Sequence, residues 1–354
     1  MKKILMTVFF IFAALCSDGA YGAEKSGLRI VTTIFPEYDW VRQITAGTGA
    51  DITLLLNSGV DLHSYQPTVD DMVKIADCDL FIYVGGDSDG WVEDALKNVV
   101  NKKRVVMNLM DILGSSVKME EIVEGMEHDH DHEHEHEHEH DHEHDHEHEH
   151  EHDHDHDHEH EHEHEHEHEH EEHHGEEPDE HIWLSLRNAG FLCRCIAQTL
   201  SGIDPDHKDN YAANAEQFSG KLLSLDREYQ TVCEKAARKV LLFADRFPFR
   251  YLMDDYGLKY YAAFAGCSAE SEASFETVMF LAGKVDELGL PCVLTLENVR
   301  HQIARTVVAN TRAKNQQVLC LNSMQSTTLK DAEKGAGYLS IMKENLETLK
   351  IALN

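Results

Sequence analysis

The stretch LRIVTTIFPEYDWVRQITAGTGADITLLL, residues 28–56, holds a short β-branched run, an apolar pattern of helical spacing and a second β-branched run. That order reads as a βαβ unit, with strands Leu28 to Thr33 and Asp51 to Leu56 around a helix from Tyr38 to Ala46. The alternation continues outward through helix Val69 to Ala76, strand Leu80 to Val84, helix Trp91 to Val99 and strand Arg104 to Asn108. A second set follows, with strands Val240 to Ala244, Lys259 to Ala263, Cys292 to Leu296 and Gln317 to Leu321, and helices Ser274 to Leu288, Val299 to Thr311 and Leu339 to Leu353. Between the sets, Asp204 and Pro205 supply an N-cap and a first-turn proline for a helical pattern from Asp206 to about Ala237. At 1.5 Å per residue such a helix is roughly 45 Å long, a stiff connector. The expected fold is therefore α/β, with two lobes, each a mainly parallel sheet flanked by helices, joined by one long rigid helix. The expected boundaries are 28–205 for the first lobe, 206–238 for the helix and 239–354 for the second lobe. A chain of 354 residues exceeds the roughly 100–200 that one core usually holds.

The first residues set the compartment. Lys2 and Lys3 precede an apolar run from Ile4 to Leu15, too short to span a bilayer but of the length of a secretory signal. Two ends to this segment are open: cleavage after Gly22, giving a signal peptide 1–22, or lipid attachment at Cys16. Either way the protein is expected to be exported, periplasmic or lipid-anchored on the outer face of the cytoplasmic membrane.

From His128 to His170 every even position is histidine and every odd position is Asp or Glu, and His173 and His174 follow. This tract, 127–174, holds no apolar side chain, so it cannot offset the entropy of ordering and is expected to be a disordered insertion in the first lobe rather than a strand. Imidazoles favour zinc, copper and nickel over magnesium and calcium, which makes His128, His150, His170, His173 and His174 accessory weak metal sites. His134, Glu135 and His138 match H-E-x-x-H, but a zincin needs that motif on a buried helix, and nothing here would dock one. The tract also distorts the charge. Of 66 acidic residues 24 lie in it, leaving 42 acids against 31 bases, about −11, with no basic face for nucleic acid. The eight cysteines follow no zinc-ribbon spacing and read mostly as buried thiols, although a pair such as Cys292 and Cys320 is a candidate bridge.

Six stretches carry a specific resemblance: VTTIFPEYDWVRQI at 31–44, LLLNSGVDLHSYQPTVDDM at 54–72, DLFIYVGG at 79–86, PDEHIWLSLRNA at 178–189, YGLKYYAAFAGCSAESEAS at 256–274 and GYLSIMKENLETL at 337–349. The chain resembles the zinc and manganese solute-binding proteins of ABC importers, the zinc-uptake, ZnuA-like branch in particular. The resemblance implies two α/β lobes joined by a rigid helix, one bound cation, and a permease and ATPase as membrane partners. An acidic, histidine-rich loop is typical of that branch.

It also implies ligands. His63 stands in the family's glycine, apolar, His, x, Tyr context, in a loop after the strand ending at Leu56, where open α/β sheets place ligands. His181 stands in PDEHIW, similar to the family's Asp-Pro-His-apolar-Trp. Where the family has a third His or a Glu, this chain has Arg246, which stays protonated and offers no lone pair. Asp245, with an ion pair to Arg246 as the alternative, and Glu297, as ligand or as orienting acceptor, are the candidates to complete a four-coordinate zinc shell. Asn322 and Ser323 occupy the turn of the manganese-type aspartate. His207 and His301 match no ligand position and are expected to be solvated. The expected function is an exported, monomeric zinc receptor for an ABC permease, not an enzyme, because no general base and substrate pocket accompany the metal residues. The alternatives are a metal-buffering or adhesive surface protein, or a receptor for Mn2+ or another divalent cation.

Overall fold

The computed structural model describes residues 27–59, 61–126, 177–266, 272–297 and 300–354. The leader with Cys16 and the histidine tract, including His128, His150, His170, His173 and His174, lie outside the described residues.

In chain order the main elements are β1 (Arg29–Thr32), α1 (Phe35–Ile44), β2 (Asp51–Leu54), α2 (Val69–Asp77), β3 (Leu80–Tyr83), α3 (Val92–Lys97), β4 (Val105–Asn108), α4 (Leu109–Leu113), α5 (Leu186–Ile203) and α6 (Lys208–Lys235). They are followed by β5 (Val240–Phe247), α7 (Arg250–Tyr256), β6 (Lys259–Ala265), α8 (Phe275–Leu288), β7 (Cys292–Thr295), α9 (Gln302–Asn310), β8 (Gln317–Cys320), α10 (Leu329–Glu333) and α11 (Tyr338–Ala352). The strands form two four-stranded sheets, ordered β2-β1-β3-β4 and β6-β5-β7-β8, and every pairing within them is parallel. In each sheet the chain leaves its first strand to one side and returns on the other. The carboxyl ends of β1 and β3, and of β5 and β7, are therefore the switch points where α/β sheets bind ligands.

The chain groups into two compact units. Of the described residues, one takes those within 27–114, 182–231 and 324–346, and the other those within 115–126, 177–181, 232–323 and 347–354. Each unit draws segments from separate parts of the chain, tied by long-range hydrogen bonds. Lys118 to Glu120 pair with Glu177 to Asp179: the Glu120 N–H donates to the Glu177 carbonyl (2.7 Å) and the Asp179 N–H to the Lys118 carbonyl (2.8 Å). The Tyr251 hydroxyl accepts from the Lys118 N–H (3.0 Å) and donates to the Asp179 carbonyl (2.8 Å), tying this neck to α7. The described residues flanking the histidine tract thus belong to the second unit.

The first unit is centred on Trp40, Phe81, Ile82, Trp183 and Tyr338, all essentially inaccessible. Trp40 packs edge-on to Tyr338 (5.3 Å), Asp39 accepts from the Tyr338 N–H (2.9 Å), and the Tyr338 hydroxyl donates to the Trp183 carbonyl (2.6 Å). Truncating such an aromatic to alanine costs about 3–5 kcal/mol. The second unit buries Leu242, Ala263, Leu281, Val285, Val293 and Val307. In α6 the buried residues Tyr211, Ala215, Phe218, Leu222, Leu225, Tyr229 and Cys233 recur at intervals of three and four, one apolar stripe along the helix.

Several expectations change. The helical pattern expected from Asp206 opens with a 3₁₀ turn, Pro205–His207, before α6 begins. The 18-residue α5 and the short α7 were not anticipated, although Leu186, Ala189, Cys193, Ile196 and Leu200 are buried at helical spacing and Ser185 caps the Asn188 N–H. Cys292 aligns with Gln317 and Cys320 with Thr295, three residues apart in register. Three residues of strand are about 10 Å, beyond disulfide reach, and the six described cysteines are free. His207 is not simply solvated: its Nδ1 meets Asp204 Oδ2 at 2.6 Å, and that oxygen also accepts from the Tyr211 hydroxyl, so the ring helps anchor the start of α6. His301 is likewise held, its Nδ1 2.8 Å from the Thr295 hydroxyl at the end of β7.

Candidate metal-binding site

Both histidines singled out by sequence stand two residues after an aspartate, and both aspartates perform the same local task. In the first unit Asp61 caps the 3₁₀ turn Leu62–Ser64, its Oδ1 accepting from the His63 N–H at 3.1 Å. In the second unit Asp179 Oδ1 accepts from the His181 N–H at 2.8 Å. Such an Asx turn fixes the backbone of the histidine two residues on and so aims its ring.

The rings then differ. His181 is fully buried, and its Nδ1 lies 2.9 Å from the same Asp179 Oδ1. The carboxylate accepts, so Nδ1 carries the proton of the neutral ring and Nε2 keeps the lone pair, the arrangement that carboxylate-backed metal-binding histidines use. Burial alone would lower the imidazole pKa, but Asp179, with smaller contributions from Glu180 and Glu120, holds it above its ordinary value. Gly266, just past β6, makes room for the ring: a Cβ there would lie 2.8 Å from the Phe247 carbonyl oxygen and 3.1 Å from His181 Cε1. His181 therefore packs at the carboxyl ends of β5 and β6.

His63 is partly exposed, its side chain at 12%. Its Nδ1 lies 2.7 Å from the Ser88 hydroxyl in the loop after β3, and its Nε2 lies 3.3 Å from the Gln325 amide nitrogen and 3.9 Å from Asp61 Oδ1. Ser88 and Gln325, which sequence reasoning missed, are thus the immediate polar surroundings of this ring. The buried Glu37 lies in the first turn of α1, with one oxygen accepting from the Thr33 N–H and hydroxyl and the Ile34 N–H. Burial, then the charge of Asp89, pushes its carboxyl well above the usual range.

Asp245 and Glu297 sit at the second switch point. β5 carries one extra residue relative to β6 between Phe243 and Arg246, and Asp245 lies in that bulge. Its Oδ1 accepts from the Arg246 N–H (2.9 Å) and its Oδ2 from the Leu296 N–H (3.1 Å), across the gap between β5 and β7. Burial raises its pKa, with those two N–H groups, Arg246 and His301 acting against the rise. Glu297 grips Ser323 with both oxygens, accepting from its N–H and from its hydroxyl, each at 2.8 Å. Both carboxylates are held in place by hydrogen bonds within the second unit. Among the described residues, no three His, Cys, Asp or Glu side chains are gathered as a metal-holding group. A cavity of about 730 Å³ in the second unit, lined by Glu121, Lys239, Arg250 and Tyr260, includes none of the four candidates. It lies at the amino ends of β5 and β6, so size alone does not mark the site here.

The fold is that of the ZnuA-like solute-binding proteins. The structure resembles the Zn(II)-bound ZnuA-like domain of Streptococcus pneumoniae AdcA, with a TM-score of 0.66 and 26% identity, covering 92% of this chain and 99% of that one. The family described as zinc-uptake complex component A, periplasmic, matches residues 30–352, and the chain belongs to that family. It is 30% identical to the high-affinity zinc uptake system protein ZnuA of Bacillus subtilis over 97% of this chain and 94% of the relative. It is also 30% identical to the zinc-binding lipoprotein AdcA of Streptococcus pneumoniae, over 99% of this chain but only 61% of that longer protein. Among the described residues no helix is long and apolar enough to cross a membrane.

Proposed function

We propose that this chain is an exported zinc receptor that carries the ion to the permease and ATPase subunits of an ABC importer. His63 and His181 are the imidazole ligands, and Asp245 and Glu297 the carboxylates that complete the shell. The observation that carries this reading is the Asp179–His181 pair, a fully buried imidazole whose Nδ1 is fixed on a carboxylate so that Nε2 is presented as a donor. Two imidazoles and carboxylates suit zinc better than manganese. The receptor acts as a monomer, and its membrane contact is through the N-terminus when Cys16 is lipidated. The histidine tract supplies weaker, accessory binding.

Deleting residues 127–174 separates the receptor from a metal buffer. Calorimetry on the deleted protein should retain one tight zinc site and lose several weaker ones. If no tight site survives, the tract is the function and the receptor reading fails.

A further inference from the structure

The hydroxyl of Tyr251, on α7, joins the two segments that flank the histidine tract. It accepts from the Lys118 N–H at 3.0 Å and donates to the Asp179 carbonyl at 2.8 Å, one oxygen serving both. Tyr251 is 1% exposed, so water is no ready substitute for either bond. Burial also pushes its pKa well above the ordinary value, which keeps the hydroxyl a donor across the pH range of zinc binding.

Asp179 is the residue on which the His181 ring depends. Its Oδ1 accepts from the His181 N–H (2.8 Å) and meets the ring Nδ1 (2.9 Å). Its own N–H donates to the Lys118 carbonyl (2.8 Å) and its carbonyl accepts from Tyr251, so both backbone groups of the aspartate are tied down. A carboxylate orients an imidazole only as firmly as its own backbone is held. α7 supplies that hold: besides Tyr251, Asp254 pairs with Lys118 Nζ (2.9 Å) and Arg250 pairs with Glu121. The ring also packs on Gly266, where a Cβ would lie 3.1 Å from His181 Cε1. With the end of β6 fixed there, any shift of Asp179 stretches the Nδ1 contact. All of these residues belong to the second unit.

We infer that Tyr251 is a positioning residue for zinc binding: its hydroxyl clamps the Lys118 and Asp179 backbones together and so fixes the carboxylate that aims His181. The inference rests on the assignment of His181 as a zinc ligand. Its consequence is that one buried hydroxyl, which touches neither the ring nor the ion, sets how tightly zinc is held. The clamp also places the long histidine-rich insertion beside a ligand without loosening it, because both flanking segments are tied to the same oxygen.

The test uses the full-length chain loaded with one equivalent of zinc, read by competition with a high-affinity chelator so that the weaker tract sites do not contribute. Tyr251→Phe keeps the ring and removes only the clamp, and should weaken zinc binding by about tenfold, the low end for a lost orienting partner. In the metal-free protein the His181 Nδ1–H proton resonance, identified by its absence from His181→Ala, should shift and exchange faster in Tyr251→Phe. Tyr260→Phe, which removes a different hydroxyl bond to the same neck, at Glu121 Oε2 (3.1 Å), should leave affinity and resonance at the parent's values. In the parent, zinc should slow hydrogen exchange at the Lys118 and Asp179 amides several-fold, because an ion that binds only the clamped form opposes its opening. Parent-like affinity or an unmoved resonance in folded Tyr251→Phe overturns the inference, as does an equal loss in Tyr260→Phe. Unchanged exchange at both amides overturns it whatever the variants do. If His181→Ala binds zinc like the parent, the ligand assignment itself has failed, whereas if it loses the site while Tyr251→Phe keeps the parent's affinity, only the positioning role is lost.

Discussion

Asp61-Leu62-His63 and Asp179-Glu180-His181 begin alike and end differently. In each, an aspartate two residues upstream accepts the histidine's own N–H, so the backbone device is shared. In the second unit the same carboxylate oxygen also takes the ring Nδ1, and the imidazole is wholly buried. In the first the ring turns instead to the Ser88 hydroxyl and the Gln325 amide, with the Asp61 carboxylate farther off at 3.9 Å, and stays partly open to solvent. One motif therefore yields a buried imidazole held directly on its own aspartate and a partly exposed one held on a hydroxyl and an amide. The difference arises from what other strands and loops bring to the ring, since the local turn is the same.

The comparison is broken most severely by removing either ring. In protein lacking residues 127–174, His63→Ala and His181→Ala should each weaken the tight zinc site by orders of magnitude, because one donor of four is lost. Calorimetry or chelator competition reads this directly, and parent-like affinity in either variant removes that histidine from the site.

The next effect should be unequal between the two motifs. Asp179→Asn should cost about 10–100-fold in zinc affinity, since it loosens ring and tautomer together, whereas Asp61→Asn, whose Oδ1 caps the His63 N–H and stands 3.9 Å from the ring Nε2, should cost less. Their pH dependence should differ as well. His181 has a raised pKa in the folded, metal-free protein. Its protonated form therefore stabilises that state fully below the ordinary value of about 6.5, and the contribution is lost as pH rises through the raised folded value. Zinc must displace the same proton, so acidification should begin to weaken zinc binding at a higher pH than a free imidazole would require, and Asp179→Asn should move that onset downward. An onset that Asp179→Asn leaves in place, in a titration of affinity from pH 8 to 5.5, would separate His181 from Asp179 functionally.

The smallest effect is expected at the carboxylates. Asp245→Ala should weaken zinc binding by roughly tenfold, the scale of a lost orienting or carboxylate partner, while Arg246→Ala leaves the metal bound. Parent-like affinity in Asp245→Ala together with loss in Glu297→Ala would assign the third ligand to Glu297. It would leave Asp245 as the group that ties Arg246 and Leu296 together at the β5 bulge.

The βαβ alternation, the two parallel sheets and the long helix were determined by sequence alone, because β-branched runs and three- and four-residue apolar spacing report burial that any fold of this chain must satisfy. The stretches around His63 and His181 were legible through their family contexts, whereas the aspartate that caps each histidine's N–H emerged only with the structure. The helix Leu186–Ile203 was legible in principle from its buried spacing and its serine cap, and was missed. Tertiary structure alone decided the rest. The grouping of residues 115–126 and 177–181 with the second unit draws on a tyrosine hydroxyl 72 residues from its acceptor. The failure of Cys292 to meet Cys320 depends on strand register, the tethering of the partly exposed His301 depends on the Thr295 hydroxyl, and the contact of Gln325 with His63 spans 262 positions. Hydrogen bonds between residues so far apart leave no periodicity in the sequence, because each is set by a single pair of atoms that only the folded chain brings within reach.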